Sequence, residues 1–316
     1  MIRIGSRGSA LARWQADHIA AELRQRGHEV AIEILVTTGD RVQHAPFMQV
    51  GAKGMFTREI EEALADDRID LAVHSLKDLP TELPEHFVIA AIPQRADARD
   101  AFVSVQYENF SALPQGASVG TSSLRRQAQL RSLRADLEVR ELRGNVDTRL
   151  RKLRDGHYDA IVLAAAGLDR LGLTASVKQL FSSHQMCPAA GQGALAIECR
   201  TEDKRTRAIV AALDHDPTRF AVTAERTALA TLGGGCHLPV GVYCTSRGED
   251  WTITGVVARP DGAQVVRETM ELHAVRKGRI SPEDAGRTLA NRLLQRGAGK
   301  FLAAIESAPP TGELRG

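Results

Sequence analysis

The chain has 316 residues, 43% hydrophobic and 25% charged, which is apolar material for roughly two or three domains with a core in each. A net charge of +2 and an aromatic content of 4% argue against a nucleic-acid binder, which would combine a basic surface with stacking side chains. No apolar run approaches a membrane span, and the opening MIRIGSRGSA reaches Arg7 before a secretory apolar region can form, so a cytoplasmic protein is expected.

Taken in chain order, short apolar runs alternate with amphipathic ones. IRI (2–4) reads as a strand, 9–27 as a helix ended by Gly27, 30–36 as a strand and 57–66 as a helix. IDLAVHSLKDLP (69–80) gives a strand over 71–74 with a polar exit. ASVGTSSLRRQAQLRSLR (117–134) is strand, turn and helix; LEVRELRGN (137–145) is strand and turn; VDTRLRKLRDG (146–156) is helix. YDAIVLAAAGLDRLGL (158–173) adds another strand and helix, and PAAGQGALAIECR (188–200) reads as a segment returning to the first domain. Such alternation predicts mostly parallel sheets covered on both faces.

The remainder changes character. A helix over 217–231 leads through a glycine turn into strands at 238–246, 250–259 and 263–273, the last two joined by a tight turn at RPDGA. Ser281 and Pro282 then open a helix as N-cap and first residue. The fold class expected is α/β for two domains, at 1–94 completed by 193–212 and at 98–188. A third, α+β domain with a three-stranded antiparallel sheet follows at 216–306, with a disordered tail at 307–316.

In open α/β sheets, ligands sit beyond the carboxyl ends of the strands. Those ends carry Arg7 and Ser9; His74, Ser75, Lys77 and Asp78; Thr121, Ser122, Ser123, Arg125 and Arg126; and Arg143, with Arg149 on the helix behind. Ser9 and Ser122 or Ser123 read equally well as helix caps or as anion ligands. Arg131, Arg134, Arg151, Lys152 and Arg154 read as solvated helix faces. Several arginine forks beside helix N-termini suit a small polycarboxylate or phosphorylated ligand. His74 and His237 read as hydrogen-bonded structural residues, whereas Asp78, beside Lys77 at a strand exit, could steady a developing cation or pass a proton.

The cysteines, Cys187, Cys199, Cys236 and Cys244, form no CxxC pair, so neither a metal site nor a disulfide framework is expected. Cys236 follows Gly233, Gly234 and Gly235, a stretch that lets something approach the backbone closely.

Six segments in series, HSLKDLP, VGTSSLRRQAQL, LRGNVDTRL, DAIVLAAAGLDRLGL, PAAGQGALAIECR and GGGCHLPVG, resemble the motifs of the porphobilinogen deaminase (hydroxymethylbilane synthase) family over essentially the whole chain. The resemblance implies two domains like type II periplasmic binding proteins and a third bearing a cofactor loop. It implies a dipyrromethane joined by a thioether to Cys236, which primes the head-to-tail condensation of four porphobilinogen molecules with loss of ammonia. Hydrolysis then frees the linear tetrapyrrole.

By the same resemblance, Asp78 is the catalytic carboxylate. Ser75, Lys77, Ser123, Arg125, Arg126 and Arg149 hold cofactor carboxylates, and Arg7, Ser9, Gln15, Arg143 and Arg170 face the substrate or growing chain. Asp40 and Lys53 fall in a mobile covering loop at 37–56, no metal takes part, and the protein is a monomer. Arg58, where many relatives have lysine, and Asp147 depart from the family pattern without touching the chemistry.

Two other classes fit part of the sequence. A non-enzymatic anion-binding protein on the same two-domain scaffold explains the strand-end arginines but not Asp78 or the glycine-flanked thiol. A cysteine hydrolase or redox enzyme using Cys236 with His237 needs adjacent residues to point at each other, and no partner cysteine is placed to resolve an oxidation.

Overall fold

The computed structural model describes residues 1–37, 57–235, 238–248, 250–272 and 280–306, with residues 304–306 described by backbone alone. Strand β1 (Ile2–Arg7) lies parallel between β2 (Val30–Leu35) and β3 (Leu71–Ser75), with Ile4 opposite Ile32 on one side and Leu71 on the other. Gly5 lets this layer close up, since a Cβ there would come within 2.3 Å of the Ile69 side chain. Helix α1 (Ala10–Gln25) begins at Ser9, whose hydroxyl accepts the Ala12 N–H, and Gly27 leaves it with a φ of 85°. Its buried stripe, Ala16, Ile19, Ala20 and Leu23, recurs at helical spacing and packs on Ile4, Leu71, Val73 and Ile197. Helix α2 (Arg58–Ala65) covers the opposite face through Ile60, Ala63 and Leu64.

Beyond β4 (Phe87–Ala91) the chain crosses to a second sheet of β5 (Asp100–Val103), β6 (Ser118–Gly120), β7 (Glu138–Arg140), β8 (Ala160–Ala164) and β9 (Val177–Leu180). Helices α3 (Leu124–Leu133), α4 (Val146–Arg154) and α5 (Ala165–Arg170) belong to this lobe. Its faces are packed by Phe102, Phe110 and Phe181, edge to face at 5.3–6.4 Å, and by Leu142, Leu150, Leu153, Ile161 and Leu163. The chain then returns to the first sheet as β10 (Leu195–Arg200), followed by the short α6 (Lys204–Val210).

The sheet orders are β2-β1-β3-β10-β4 and β7-β6-β8-β5-β9. In both, the strand that follows the crossing enters antiparallel between two others, and the rest run together. The repeated order, with two crossings, gives two like-built lobes, in keeping with what the family resemblance implies. Each sheet is therefore mixed, with two parallel and two antiparallel pairings, where the alternation predicts mostly parallel ones. The reversed strand of each was not foreseen, because it arises from the chain arriving from the other lobe.

Helix α7 (Asp216–Thr231), capped by His215 with a proline in its first turn, leads to the third sheet. Strands β11 (Val240–Arg247), β12 (Asp250–Ala258) and β13 (Val265–Glu271) are antiparallel, in that order. Helix α8 (Pro282–Gln295), capped by Ser281 as its sequence predicts, and α9 (Ala298–Glu306) complete the unit. Helices α7 and α8 meet closely at Gly286, where a Cβ would lie 2.3 Å from the Ala224 carbonyl oxygen. One solvated-face reading needs correction: Arg131 donates to the Pro260 carbonyl at 2.7 Å. Gly262 packs against its backbone, so the β12–β13 turn docks on α3 and Arg131 joins two units.

Candidate active site

Because β1, β3, β6, β7 and β8 run in common directions within their sheets, their carboxyl ends present one row of side chains per lobe. At the exit of β3 the backbone winds into a 3₁₀ turn over Leu76–Asp78. Leu76 is buried and anchors the turn, Lys77 is half-buried, and Asp78 is exposed. The Leu76 N–H donates to the Ala194 carbonyl and so ties the turn to the crossing segment. Gln15, buried on α1, donates through Nε2 to the Ser75 hydroxyl at 2.8 Å. His74, on the same strand, lies 2.8 Å by Nε2 from the buried carboxylate of Glu198, the structural role its sequence suggested.

Across from this turn, Arg125 and Arg126 are both buried at the start of α3 and share the carboxylate of Asp100, the first residue of β5. Arg125 donates to Asp100 Oδ2 and to the Cys187 carbonyl, each at 2.7 Å. Arg126 donates to Asp100 Oδ1 at 2.7 and 3.0 Å and to the Val162 carbonyl. Gln192 completes the knot by donating to Asp100 Oδ1 at 2.9 Å. The two guanidinium groups hold the Asp100 carboxyl far below the usual carboxylate range, against a desolvation that acts the other way.

The charges do not balance. Lys77, Arg125, Arg126 and Arg149 face two carboxylates, Asp78 and Asp100, within one electrostatic neighbourhood. Protein crowded around the Lys77 ammonium pushes it down to about 8, even though part of the side chain stays open to the cleft. Arg126 and Arg125 add to the shift, and Asp78 and Asp100 oppose it. Arg149, which donates to the Gly144 carbonyl at 2.7 Å, is pushed down to about 10 by burial and by Arg126. Desolvated cations without matching anions call for an anionic ligand. Ser123 fits that demand: its oxygen accepts the Arg126 N–H at 3.5 Å as cap of α3, leaving its hydroxyl proton free to turn toward an anion.

The other expected residues are placed more loosely. Arg170 sits where β8 and α5 face the first lobe, donates to the Gly193 carbonyl at 2.7 Å and lies 5.7 Å over the Trp14 ring. Burial pushes it down to about 10. Arg143 pairs with Glu141, while Arg7 is half-buried at the end of β1 and Ser9 caps α1. Ser122 donates to the Leu142 carbonyl and serves the scaffold. Asp40, Lys53, Cys236, His237 and the tail at 307–316 lie outside the described residues. Of the departures from the family pattern, Arg58 pairs with Glu62 on α2 and Asp147 is exposed in the first turn of α4.

Sequence reasoning missed Asp100, Gln192 and Arg226. The first two carried no pattern, since a lone Asp in ARDAF looks like loop. Arg226, on α7, donates to the carbonyls of Leu76, Leu79, Pro80 and Thr81, and only the contact between units reveals it. Among the described residues no cluster of metal-ligating side chains occurs, and no helix is long and apolar enough to cross a membrane.

Residues 2–208 match the family model for the porphobilinogen deaminase dipyromethane cofactor binding domain, and residues 219–295 match that for the porphobilinogen deaminase C-terminal domain. The chain belongs to the porphobilinogen deaminase family. It is 47% identical over 305 residues to the porphobilinogen deaminase of Nitratidesulfovibrio vulgaris (strain DSM 19637 / Miyazaki F), covering 96% of each chain. Family membership makes it a transferase of tetrapyrrole synthesis, which polymerises porphobilinogen to hydroxymethylbilane on a dipyrromethane cofactor.

Among solved structures, a nutrient-binding protein from Burkholderia cenocepacia bound to methionine is 16% identical with a TM-score of 0.42, over 67% of this chain and 91% of its own. A periplasmic substrate-binding protein of an ABC transporter from Coxiella burnetii is 16% identical with a TM-score of 0.41, over 72% and 97%. Likenesses this distant carry nothing about function.

Proposed function

We propose that this chain adds four porphobilinogen units in turn to a primer on Cys236, with Asp78 as the catalytic carboxylate. The observation that carries the reading is the surplus of desolvated cations, half-buried Lys77 and Arg149 with buried Arg126, in the electrostatic neighbourhood of an exposed Asp78. A dipyrromethane brings several carboxylates and so fits this surplus. When bound, it supplies a free pyrrole α-carbon as acceptor for the incoming unit.

Lys77, Arg149 and Ser123 hold carboxylates from the two sides of the cleft. Arg125 and Arg126, braced by Asp100, fix the positive wall and contribute their remaining donors. Ser75, oriented by Gln15, completes the first-lobe side. Arg7, Ser9, Arg143 and Arg170 receive the carboxylates of substrate and lengthening product.

Asp78 would stabilise the positive charge that develops on a pyrrole nitrogen as ammonia departs. A fixed carboxylate in a partly dehydrated cleft lowers the energy of that charge without reorganising at the moment of reaction. It also lies ready to take the proton given up as the new carbon–carbon bond forms. Cys236 is supported by the state of the other thiols. Cys187, Cys199 and Cys244 are buried, and desolvation pushes the first two up to about 12 and the third higher still.

The same reading divides the chain into three domains at the boundaries expected from sequence, and takes it as a cytoplasmic monomer with porphobilinogen as its small-molecule partner. Its test is the intact mass of the protein beside its Cys236→Ser variant, with turnover of an Asp78→Asn variant. An excess mass of two linked pyrroles, lost in Cys236→Ser, is expected. Asp78→Asn should keep that mass and lose kcat by roughly a hundredfold or more. A wild type without added mass that stays inert when given porphobilinogen would sink the proposal.

A further inference from the structure

The reaction read above requires two parts of the chain to meet: the Leu76–Asp78 turn of the first lobe, and the cysteine that follows the glycine turn after α7. Among the described residues, one charged side chain of α7 hydrogen-bonds directly to the first-lobe turn, beside the apolar packing of Val222 with Leu76 and Leu79. Arg226 projects from α7 and donates through Nη1 to the carbonyls of Leu76 and Leu79, at 3.5 and 3.2 Å. Through Nη2 it donates to those of Pro80 and Thr81, at 2.6 and 3.2 Å. These four carbonyls bracket Lys77 and Asp78 on both sides.

The glycine turn meets the same loop. Gly234, with a φ of 50°, packs so closely that a Cβ there would sit 3.0 Å from Thr81 Oγ1. Its N–H bonds the Leu229 carbonyl and so continues the end of α7. Thr81 therefore receives Arg226 on its carbonyl and Gly234 against its hydroxyl, and both come from one helix and its exit.

We propose that Arg226 is a positioning residue for the condensation, setting the pose of the Lys77–Asp78 turn relative to the glycine turn that precedes Cys236. The proposal rests on the roles assigned above to Asp78 and Cys236. Pro80 removes one N–H donor from the loop, and its carbonyls must find partners beyond the Leu79 N–H that donates to the Leu76 carbonyl. A planar guanidinium with donors on several edges spans four of them at once; an ammonium, a point charge on a flexible stem, does not. Arg226 also fits no simpler use. No carboxylate is among these partners, and burial pushes the guanidinium down to about 10. Its charge is stabilised by carbonyl dipoles alone, an arrangement that favours orientation over ion-pair strength.

The test compares Arg226→Lys and Arg226→Gln with the wild type, each purified with its cofactor and supplied with porphobilinogen. Bound cofactor is counted by intact mass, and kcat is expressed per bound cofactor. Both variants are expected to load, to keep KM within about threefold and to lose kcat per cofactor by roughly ten- to a hundredfold, the scale of a misplaced catalytic group. Lysine should recover little of that loss. A role in domain stability alone would lower the loaded fraction and the melting temperature while leaving kcat per cofactor unchanged, and that result overturns the proposal. So does a rise in KM at constant kcat, or failure of both variants to fold. Asp78→Asn and Cys236→Ser, assayed in parallel with Arg226 intact, separate this failure from that of the site itself. Full activity in Asp78→Asn refutes the site reading whatever the Arg226 variants do.

Discussion

At the scale of the residue, Lys77 holds its charge where protein disfavours it. Its folded value of about 8 lies below the 10.5 of the free side chain. Between these values the unfolded chain binds a proton that the folded chain has released, so stability rises with pH through that window. Below about 8 both states are protonated, and the cost of burying the ammonium is constant. Protein lacking the cofactor, obtained as Cys236→Ser, is therefore expected to gain stability from about pH 8 to 10.5. The double variant with Lys77→Met should show a flatter rise, read as the difference in urea midpoint between the two. Parallel curves would mean that Lys77 is solvated as freely as a surface lysine.

The same scale shows what sequence could and could not give. The place of Lys77 and Asp78 at a strand exit was legible, because the apolar run of β3 stops just before them. Asp100 was not, because its meaning lies in Arg125 and Arg126, a quarter of a hundred residues away in sequence and joined to it by the packing of α3 on the sheet.

At the scale of the element, α7 does more than its length suggests. Glu225, fully buried, accepts two bonds from Arg95 at 2.6 and 3.1 Å, one from the Gly191 N–H at 2.7 Å and one from the Cys244 N–H at 2.8 Å. Arg95 precedes the first crossing between lobes, Gly191 lies in the return, and Cys244 is on β11. One carboxylate thus fastens both connecting segments to the third unit. Glu225→Ala strands Arg95 and two buried N–H groups, and should cost about 3–5 kcal/mol in urea unfolding. A loss of less than about 1 kcal/mol would mean that water replaces the carboxylate, and that the knot has little structural weight.

The caps and breakers of these helices were readable: Ser9, Ser123, Gly27, Ser281 and Pro282 act through local backbone geometry. The polar residues along α7 were not. Glu225 and Arg226 in isolation resemble any solvated helix pair, and only the surfaces packed against them give each a partner.

At the scale of the whole molecule, the cleft lies between lobes joined by two segments, and Arg170 reaches across it. From α5 it donates to Gly193 and covers Trp14, which itself stacks on His18 at 5.1 Å. The chain contains two tryptophans, so Trp251→Phe leaves Trp14 as the sole indole. Its emission should change when porphobilinogen is added to the loaded variant, because any movement of one lobe alters the cation above the ring. Emission that stays constant while the substrate is consumed would argue for lobes that remain fixed through elongation.

Sequence alone determined the alternation of strands and helices, the antiparallel third sheet, the helix caps and the row of hydroxyls and cations at the strand ends. Each of these follows from spacing within a few residues: two-residue and 3.6-residue periods, turn chemistry, and the change of side-chain type where a strand stops. Only the tertiary structure decided the one reversed strand in each five-stranded sheet, the sharing of Asp100 by two arginines, the docking of Arg131 on the third unit and the reach of Arg226. These depend on which distant segments share a buried space. There a charge must find a partner, and the partner is chosen by packing rather than by proximity along the chain.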